Sequence, residues 1–343
     1  TSNKTHHYTL TAWIDESYIL PIKNETTTTK QTNEETYKFK VKVVGVDTPI
    51  TIEEKSSVTK GTDTLIALTN NQNESGLYTI THPADSTLQI GATESVTEYR
   101  YRGANPKNYV TFNNEVWRIL GVFPTDDGTG KIENRIKIIK DQSIGNKDWD
   151  TSDSNNWTRP ATLNTELNTT YLNSLDSTSK SMIGNTKYYL GGKSLTYNNG
   201  YADTPLQFYS YERKIQNTTS NEFYNGTNPN NWVGKLGLMY VSDYGYASSN
   251  CENKKIWDDS NSSSNDIRAC NTTNWLFKGN SEWTLPQGAS ISFSAFYVFS
   301  GGYVSDLSVS LGQFAARPVL YLISSVQITG GNGTLSSPYT LGL

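Results

Sequence analysis

The sequence predicts a β-rich α+β fold, in which a small N-terminal β module precedes a larger domain with long loops. Charged residues are 18% and hydrophobic residues 35% of the chain, but 22 Tyr and 12% aromatic side chains supply buriable area, so the composition is not that of a disordered protein. Several short segments alternate apolar and polar side chains, the period of a half-buried strand. Only residues 161–183 show helical spacing over any length.

Two strands are predicted in the N-terminal region, at residues 8–14 and 37–46, where apolar side chains alternate with polar ones. Two strands do not form a stable domain alone. They must pair with later strands, with a partner chain or with a further segment, so self-assembly through this module is one option. Residues 47–95 add a short apolar patch and the strand-like segment 76–80. We therefore assign 1–95 to an N-terminal β module with a connecting region, and 96–343 to the second domain.

The second domain opens with a series of predicted strands. Residues 109–112 and 116–122 flank the polar pair Asn113-Asn114, and a hairpin with Asp127-Gly128 at its turn returns through 135–139. Leucines and other apolar residues in 161–183 have helical spacing, which predicts an interrupted helix. Beyond it we expect long loops, a short strand at 235–241 and a terminal hairpin around 330–333.

Charge and hydropathy exclude two classes of partner. The net charge is −4 and no run of Lys or Arg occurs, so nucleic acid and acidic membrane surfaces lack the basic footprint that they require. No apolar run approaches the ~18 residues of a membrane span. Membrane attachment would therefore need a segment outside this sequence.

The two cysteines, Cys251 and Cys270, flank a polar loop. A disulfide between them would close about 20 residues and stabilise the fold by about 3 kcal/mol. The alternative is a pair of free thiols in a reducing compartment. We favour the disulfide, because the loop is otherwise hard to hold, and with it an extracellular location.

Candidate catalytic and metal-binding residues are few, and we predict no enzyme and no cofactor. The three histidines, His6, His7 and His82, all precede the second domain, which therefore lacks the usual base of hydrolytic triads. Glu212 and Asp243 have aromatic neighbours and could form a glycosidase pair, or each could fix a loop through Arg or backbone groups. The Asp/Asn-rich loops 147–157 and 256–266 offer oxygen ligands for Ca²⁺, but neither has EF-hand spacing, so calcium is not predicted.

The segment 288–315 contains one predicted buried strand, 295–298, and a second predicted buried strand, 317–322, follows it. It mixes small polar with large apolar residues, and exposed Phe and Leu are unfavourable unless they serve recognition. Tyr, Ser and Gly are also the residues that paratopes use. An ordinary pair of twisted strands is the alternative. We predict that ligand contacts involve Ser290, Ile291, Phe293, Ser294, Phe299, Ser305, Leu307, Ser308, Leu311 and Phe314.

Four blocks within 99–341 resemble a group of surface proteins from gut Firmicutes: YRYRGANPKNYVTFNNEVWRILGVF, GLMYVSDYGYASS, NWLFKGNSEWTLP and ARPVLYL with SSPYTL. The terminal Trp, Gly and Ala-Arg-Pro-Val arrangement is similar to C-type-lectin folds of the formylglycine-generating-enzyme type. The resemblance implies a C-type-lectin-like domain of the kind used by variable proteins of diversity-generating retroelements. The cysteines of the enzyme branch do not match Cys251 and Cys270 by position, so that activity is not carried over.

Together these observations predict an extracellular binding protein of the adhesin or receptor type on a bacterial cell surface. Its ligand would be a protein or glycan on another cell, a phage or a host. We expect Arg317 to be structural, paired to a buried carboxylate or to backbone carbonyls behind the site. The alternatives are a pilus or filament subunit whose N-terminal strands complement a neighbour, and a carbohydrate-active enzyme using Glu212 and Asp243.

Overall fold

The computed structural model describes residues 59–194, 203–215, 228–257 and 270–343. The chain divides into the units Thr1–Lys55 and Ser56–Leu343, and every described residue belongs to the second. Residues 59–95, which the sequence assigned to the N-terminal module, are therefore part of the larger unit. The strands predicted at 8–14 and 37–46, and with them the self-assembly and filament hypotheses, lie outside the described residues.

The described part of the chain is β-rich and mixes strands with short helices, as the sequence predicts. Its largest sheet has the order β1-β2-β4-β5-β14-β9, with β3 paired to β4, and each pairing is antiparallel. We call it the large sheet. Its strands are β1 Gly76–His82, β2 Val96–Arg102, β3 Tyr109–Phe112, β4 Glu115–Asp126, β5 Ile132–Lys140, β9 Leu236–Gly237 and β14 Val319–Tyr321.

The hairpin β4–β5 forms the centre of the large sheet and of the core. Its two predicted strands are confirmed, and so is the Asn113-Asn114 turn that joins β3 to β4, whose residues have φ values of 54° and 57°. Asn tolerates this left-handed conformation, which matches the twist of the flanking strands. Trp117 and Ile138 are fully buried, because the hairpin is covered on both faces.

A second sheet, which we call the small sheet, has the order β12-β11-β10-β13-β6 among the described residues. Only the β10–β13 pairing in it is parallel. Its strands are β6 Asn146–Lys147, β10 Glu282–Gln287, β11 Ser294–Val298, β12 Val304–Ser308 and β13 Phe314–Ala315. Two ribbons complete the strands: β7 Thr186–Tyr189 with β8 Asn231–Gly234, and β15 Gln327–Gly330 with β16 Thr340–Gly342.

The predicted interrupted helix is confirmed. A π-helical segment, Leu167–Tyr171, joins the first two of its three short helices, and Asp176 caps the third through the backbone N–H of Ser179 at 2.8 Å. The described helices are α1 Gly61–Ile66, α2 Thr162–Glu166, α3 Leu172–Ser174, α4 Ser177–Ser181, α5 Pro205–Arg213 and α6 Val241–Tyr246.

The strand predicted at 235–241 is only partly correct. Strand β9 covers two of its residues, and α6 begins at Val241. The helix starts here because the Asp243 carboxylate accepts a hydrogen bond from the backbone N–H of Tyr240 at 2.8 Å, which satisfies a donor at the helix N-terminus. Apolar side chains at 236–241 therefore serve a strand and a helix in succession.

The predicted disulfide between Cys251 and Cys270 is confirmed. The two Cα atoms lie 4.9 Å apart, and both residues are buried. A disulfide suggests an oxidising compartment. Within the described ranges, no helix is long and apolar enough to cross a membrane.

We expect the double substitution Cys251→Ala with Cys270→Ala to lower the free energy of unfolding by about 3 kcal/mol, because the open chain regains loop entropy when it unfolds. Urea unfolding of both proteins, with and without reductant, measures the effect. Reductant should destabilise the wild type and leave the variant unchanged. A variant as stable as the oxidised wild type would contradict the structural role of the bond.

Candidate ligand-binding site

The outward side of the small sheet carries the candidate site. Successive side chains of a strand point to opposite faces, and Tyr297 of β11 lies opposite Ser305 of β12 on the outward side. Phe296, the preceding residue, points inward and is fully buried, in edge-to-face contact with Phe208 and Trp257. The opposite side of β11 is also largely buried, since Tyr297 is 8% exposed, whereas Ser305 of β12 is partly exposed.

Aromatic rings form a continuous chain on this outward side. The ring centroids of Tyr297 and Phe314 are 4.4 Å apart, those of Tyr297 and Phe299 are 6.4 Å apart, and Phe299 stacks on Tyr303 at 4.8 Å. Such spacings are favourable for aromatic pairs beyond the area that they bury. We call this surface the aromatic face and define it by Tyr297, Phe299, Tyr303, Ser305, Leu307 and Phe314.

The rings of the aromatic face pack beside a buried tryptophan that lies on the same side of the sheet. Trp283 of β10 is fully buried and packs on Phe314 with ring centroids 4.9 Å apart. Its indole N–H donates to the carbonyls of Lys147 and Gly312, at 2.7 and 3.0 Å. Packing on this buried, hydrogen-bonded ring restricts Phe314, so a ligand that contacts Phe314 would meet a smaller ordering cost.

Four of the ten predicted contact residues belong to the aromatic face: Phe299, Ser305, Leu307 and Phe314. Four others lie outside it and are at least partly exposed. Ser290 and Ile291 are half-buried in the segment before β11, where Phe293 is 46% exposed, and Leu311 is 76% exposed in the turn between β12 and β13.

The prediction is wrong for Ser294, which is 2% exposed. Ser294 stands one residue before Ala295 on β11 and so points inward, where its hydroxyl donates to Asp306 at 2.6 Å. Ser308 lies opposite Ser294 in the β11–β12 register, and its hydroxyl donates to Asp153 at 2.8 Å. The hydroxyl of Ser294 therefore binds a side chain of β12 and that of Ser308 binds a side chain of the loop 147–157, and neither serine belongs to the aromatic face.

Tyr297 and Tyr303 are not among the predicted contact residues. The prediction that Tyr297 lies in a buried strand is confirmed, since Tyr297 is 8% exposed, and the period of two places Tyr297 on the same side as Phe299. Tyr303 follows the turn at Gly301-Gly302, where Gly302 has a φ of 86°. A turn of this kind interrupts the alternation, so a sequence pattern could not assign Tyr303 to a side.

Arg317 lies behind the aromatic face and is 2% exposed. Its Nε donates to the Glu282 carboxylate at 2.7 Å, and an Nη donates to the carbonyl of Leu276 at 2.8 Å. Burial raises the pKa of Glu282, and the charge of Arg317 opposes that rise. This buried pair connects β10 of the small sheet to the segment that enters β14 of the large sheet.

The largest electrostatic feature of the molecule is a group of buried ionisable side chains, which we call the charge cluster: Glu98, Arg100, Lys137, Glu212, Arg213 and Asp243. At its centre, the Asp243 carboxylate accepts from Arg100 at 3.0 Å and from Lys137 at 2.5 Å. Three aromatic rings surround the Lys137 ammonium, with centroids 4.7–5.2 Å from Nζ. Burial lowers the pKa of Lys137 to about 8, although the negative charge of Asp243 acts to raise it.

The remaining carboxylates of the charge cluster are equally enclosed. Glu98 contacts Arg100 at 2.7 Å and His82 at 3.3 Å, and burial lowers the pKa of His82. Glu212 accepts from the backbone N–H of Ser242 at 2.9 Å and from Arg213 at 3.0 Å. Burial raises the pKa of Glu212 to about 7, although Arg213 opposes the rise.

Glu212 and Asp243 are not placed as a glycosidase pair. Both are at most 2% exposed, and Arg, Lys or backbone groups occupy their oxygens. The neighbouring crevice, which Glu98, Arg213 and Tyr240 line, has a volume of about 10 Å³, room for about one water molecule. A sugar ring cannot reach either carboxylate, and the geometry supports the alternative in which each fixes local structure.

The loop 147–157 does not converge on a cation. Asp150 accepts from Arg159 at 2.7 and 2.9 Å, and Asp153 accepts from the hydroxyls of Ser308 and Ser310. In the described ranges, no group of three or more His, Cys, Asp or Glu side chains could hold a metal ion. Residues 258–269, which include most of the second acidic loop, lie outside those ranges.

Neither a protein-family model, a curated protein nor a solved structure matches this chain significantly. The functional conclusion therefore depends on the chain's own residues and geometry.

Glu212 predicts a specific pH dependence of stability. A carboxyl whose pKa is raised by folding binds a proton more tightly in the folded state, so its contribution is present below about pH 4.5 and is lost as the pH rises through about 7. Glu212→Gln keeps acceptor and donor groups but does not ionise. We expect the variant to lose less stability than the wild type between pH 4.5 and 7.5, by up to about 3 kcal/mol.

Urea unfolding at several pH values checks this expectation. The lowered pKa of His82 acts in the opposite direction, because stability then falls as the pH drops below 6.5. His82 is present in both proteins, so their difference isolates Glu212. If stability changed with pH in the same way in both proteins, that result would contradict the raised pKa of Glu212.

Proposed function

We propose that this chain is an extracellular ligand-binding protein of a bacterial cell surface, which recognises a protein or a glycan through the aromatic face and the adjoining segment 288–293. One observation carries the proposal. A connected set of aromatic rings, of which Phe299, Tyr303 and Phe314 are partly exposed, lies on the small sheet beside the buried Trp283. The residues that define the aromatic face carry no charge.

The physical chemistry of such a surface suits recognition. Tyr and Phe provide large contact areas with few rotatable bonds, so they lose little entropy on binding. Aromatic side chains at the centre of an interface often dominate its affinity. Because the face residues are uncharged, binding should depend on apolar burial and ring contacts more than on ion pairs, and salt should affect it weakly.

The location and the class of protein are also proposals. The disulfide between Cys251 and Cys270 fits an oxidising compartment, and an exported surface protein would meet that condition. The resemblance to variable proteins with C-type-lectin-like domains supports a binding surface whose residues vary, so that different variants bind different ligands. Under this proposal, residues such as Phe299 and Ser305 vary, while Trp283 and Tyr297 provide a constant frame.

We expect Phe299→Ala and Phe314→Ala each to weaken ligand binding at least about tenfold, since each removes a ring from the aromatic face. Fluorescently labelled protein would be tested by flow cytometry against bacterial cells and mucin-coated beads, and by plate assay against phage particles. Leu335→Ala is the matched control, because Leu335 is 62% exposed but lies in the loop that joins β15 to β16.

Melting temperatures of the three variants distinguish lost contacts from lost folding. The proposal requires that the control bind like the wild type and that the folded Phe variants do not. Equal binding by all folded variants would show that the ligand is held elsewhere.

A further inference from the structure

Lys137 and Asp243 form an ion pair that is enclosed completely by the protein. Lys137 stands on β5 and Asp243 on α6, and both side chains are fully buried. The Nζ atom of Lys137 donates directly to Oδ2 of Asp243. The amine nitrogen therefore already lies beside the carboxyl group that it could attack.

We propose that Lys137 and Asp243 condense into an intramolecular isopeptide bond, an amide between Nζ of Lys137 and Cγ of Asp243. The reaction releases one water molecule. It is an internal modification of the chain and is independent of the ligand-binding proposal.

The ion pair contains every atom that the reaction needs. One proton passes from the Lys137 ammonium to Oδ2, which gives a neutral amine and a carboxylic acid. The amine lone pair then forms the N–C bond at Cγ, a second proton moves from nitrogen to the same oxygen, and the C–Oδ2 bond breaks. Oδ2 leaves with two protons as water, and the amide nitrogen keeps the third. The overall reaction needs no oxidant, reductant or co-reactant.

The neighbours of the pair favour this sequence. Arg100 donates to Oδ1 at 3.0 Å, so it can stabilise the negative charge that develops on the oxygen that remains. The backbone N–H of Tyr240 donates to Oδ2 at 2.8 Å, the oxygen that leaves. Fixing the amine and the carboxyl in contact replaces a bimolecular encounter, which is the main obstacle to amide formation in water.

Burial weakens the preference of the pair for its charged form and protects the product. Removing both groups from water is unfavourable for the charged forms, and burial lowers the pKa of Lys137 to about 8. Burial acts to raise the pKa of Asp243, but the charges of Lys137 and Arg100 outweigh it and lower that pKa, so the ion pair is the starting state and proton transfer within it is the first step. The rings of Phe123, Tyr240 and Tyr321 around Nζ exclude the water that would hydrolyse the amide.

The same molecule contains a matched pair that should not react. Lys278 and Asp141 are 2.7 Å apart, but the Lys278 side chain is 29% exposed and the Asp141 side chain 13% exposed. Water remains available to both groups, so the charged forms stay favourable. Reaction at the buried pair alone would show that enclosure, and not contact, determines the chemistry.

Mass spectrometry of the purified, disulfide-reduced chain tests the proposal. We expect an intact mass one water below the sequence mass, and a branched proteolytic peptide that joins Lys137 to Asp243. Lys137→Arg should have its full sequence mass. Asp243→Asn should be lighter by one ammonia, because an amide side chain releases ammonia in the same reaction.

The wild-type measurement decides the question even if a variant fails to fold. An intact mass equal to the sequence mass would overturn the proposal. A mass deficit without the branched peptide, as cyclisation at another Asp or Asn would give, would overturn it equally. Peptides that contain Lys278 and Asp141 should remain linear in every sample.

Discussion

The rest of the structure depends on one buried carboxylate, that of Asp243, which must be paired with positively charged side chains. An unpaired charge in the interior costs several kcal/mol, and Asp243 receives its partners from two strands of the large sheet, Arg100 of β2 and Lys137 of β5. Helix α6 can therefore begin only where these strands bring both cations together. The backbone just before α6 then binds the small sheet, since the carbonyl of Met239 accepts from the N–H of Leu285 at 2.8 Å.

This constraint fixes which side of the small sheet faces outward. Helix α6 packs against β10 and β11, and the buried pair of Arg317 and Glu282 connects β10 to the large sheet behind them. With the other side of the sheet occupied, Tyr297 is buried beside Trp283, while Phe299, Ser305 and Phe314 stay partly exposed. Partly exposed members of the aromatic face such as Ser305 can therefore differ with less effect on this packing than Tyr297.

Local patterns predicted the parts of the fold that local interactions determine. Alternation and turn residues located β4, β5 and the Asn113-Asn114 turn, and helical spacing located the interrupted helix. The start of α6 was missed because it depends on Asp243, whose partner Lys137 is 106 residues away in sequence. The composition of 288–315 leads to the ligand-binding prediction, which stays a prediction, and the inward direction of Ser294 depends on strand register, which composition does not encode.

Sequencing the region that encodes residues 283–317 in many cells of one bacterial community would test the ligand-binding proposal most directly. If the aromatic face is a diversified binding surface, substitutions should concentrate at outward positions such as Phe299, Ser305 and Leu307. Trp283, Tyr297 and Arg317 should stay constant, because they hold the sheet. Substitutions spread evenly along the gene, or an invariant segment, would contradict a surface built to vary.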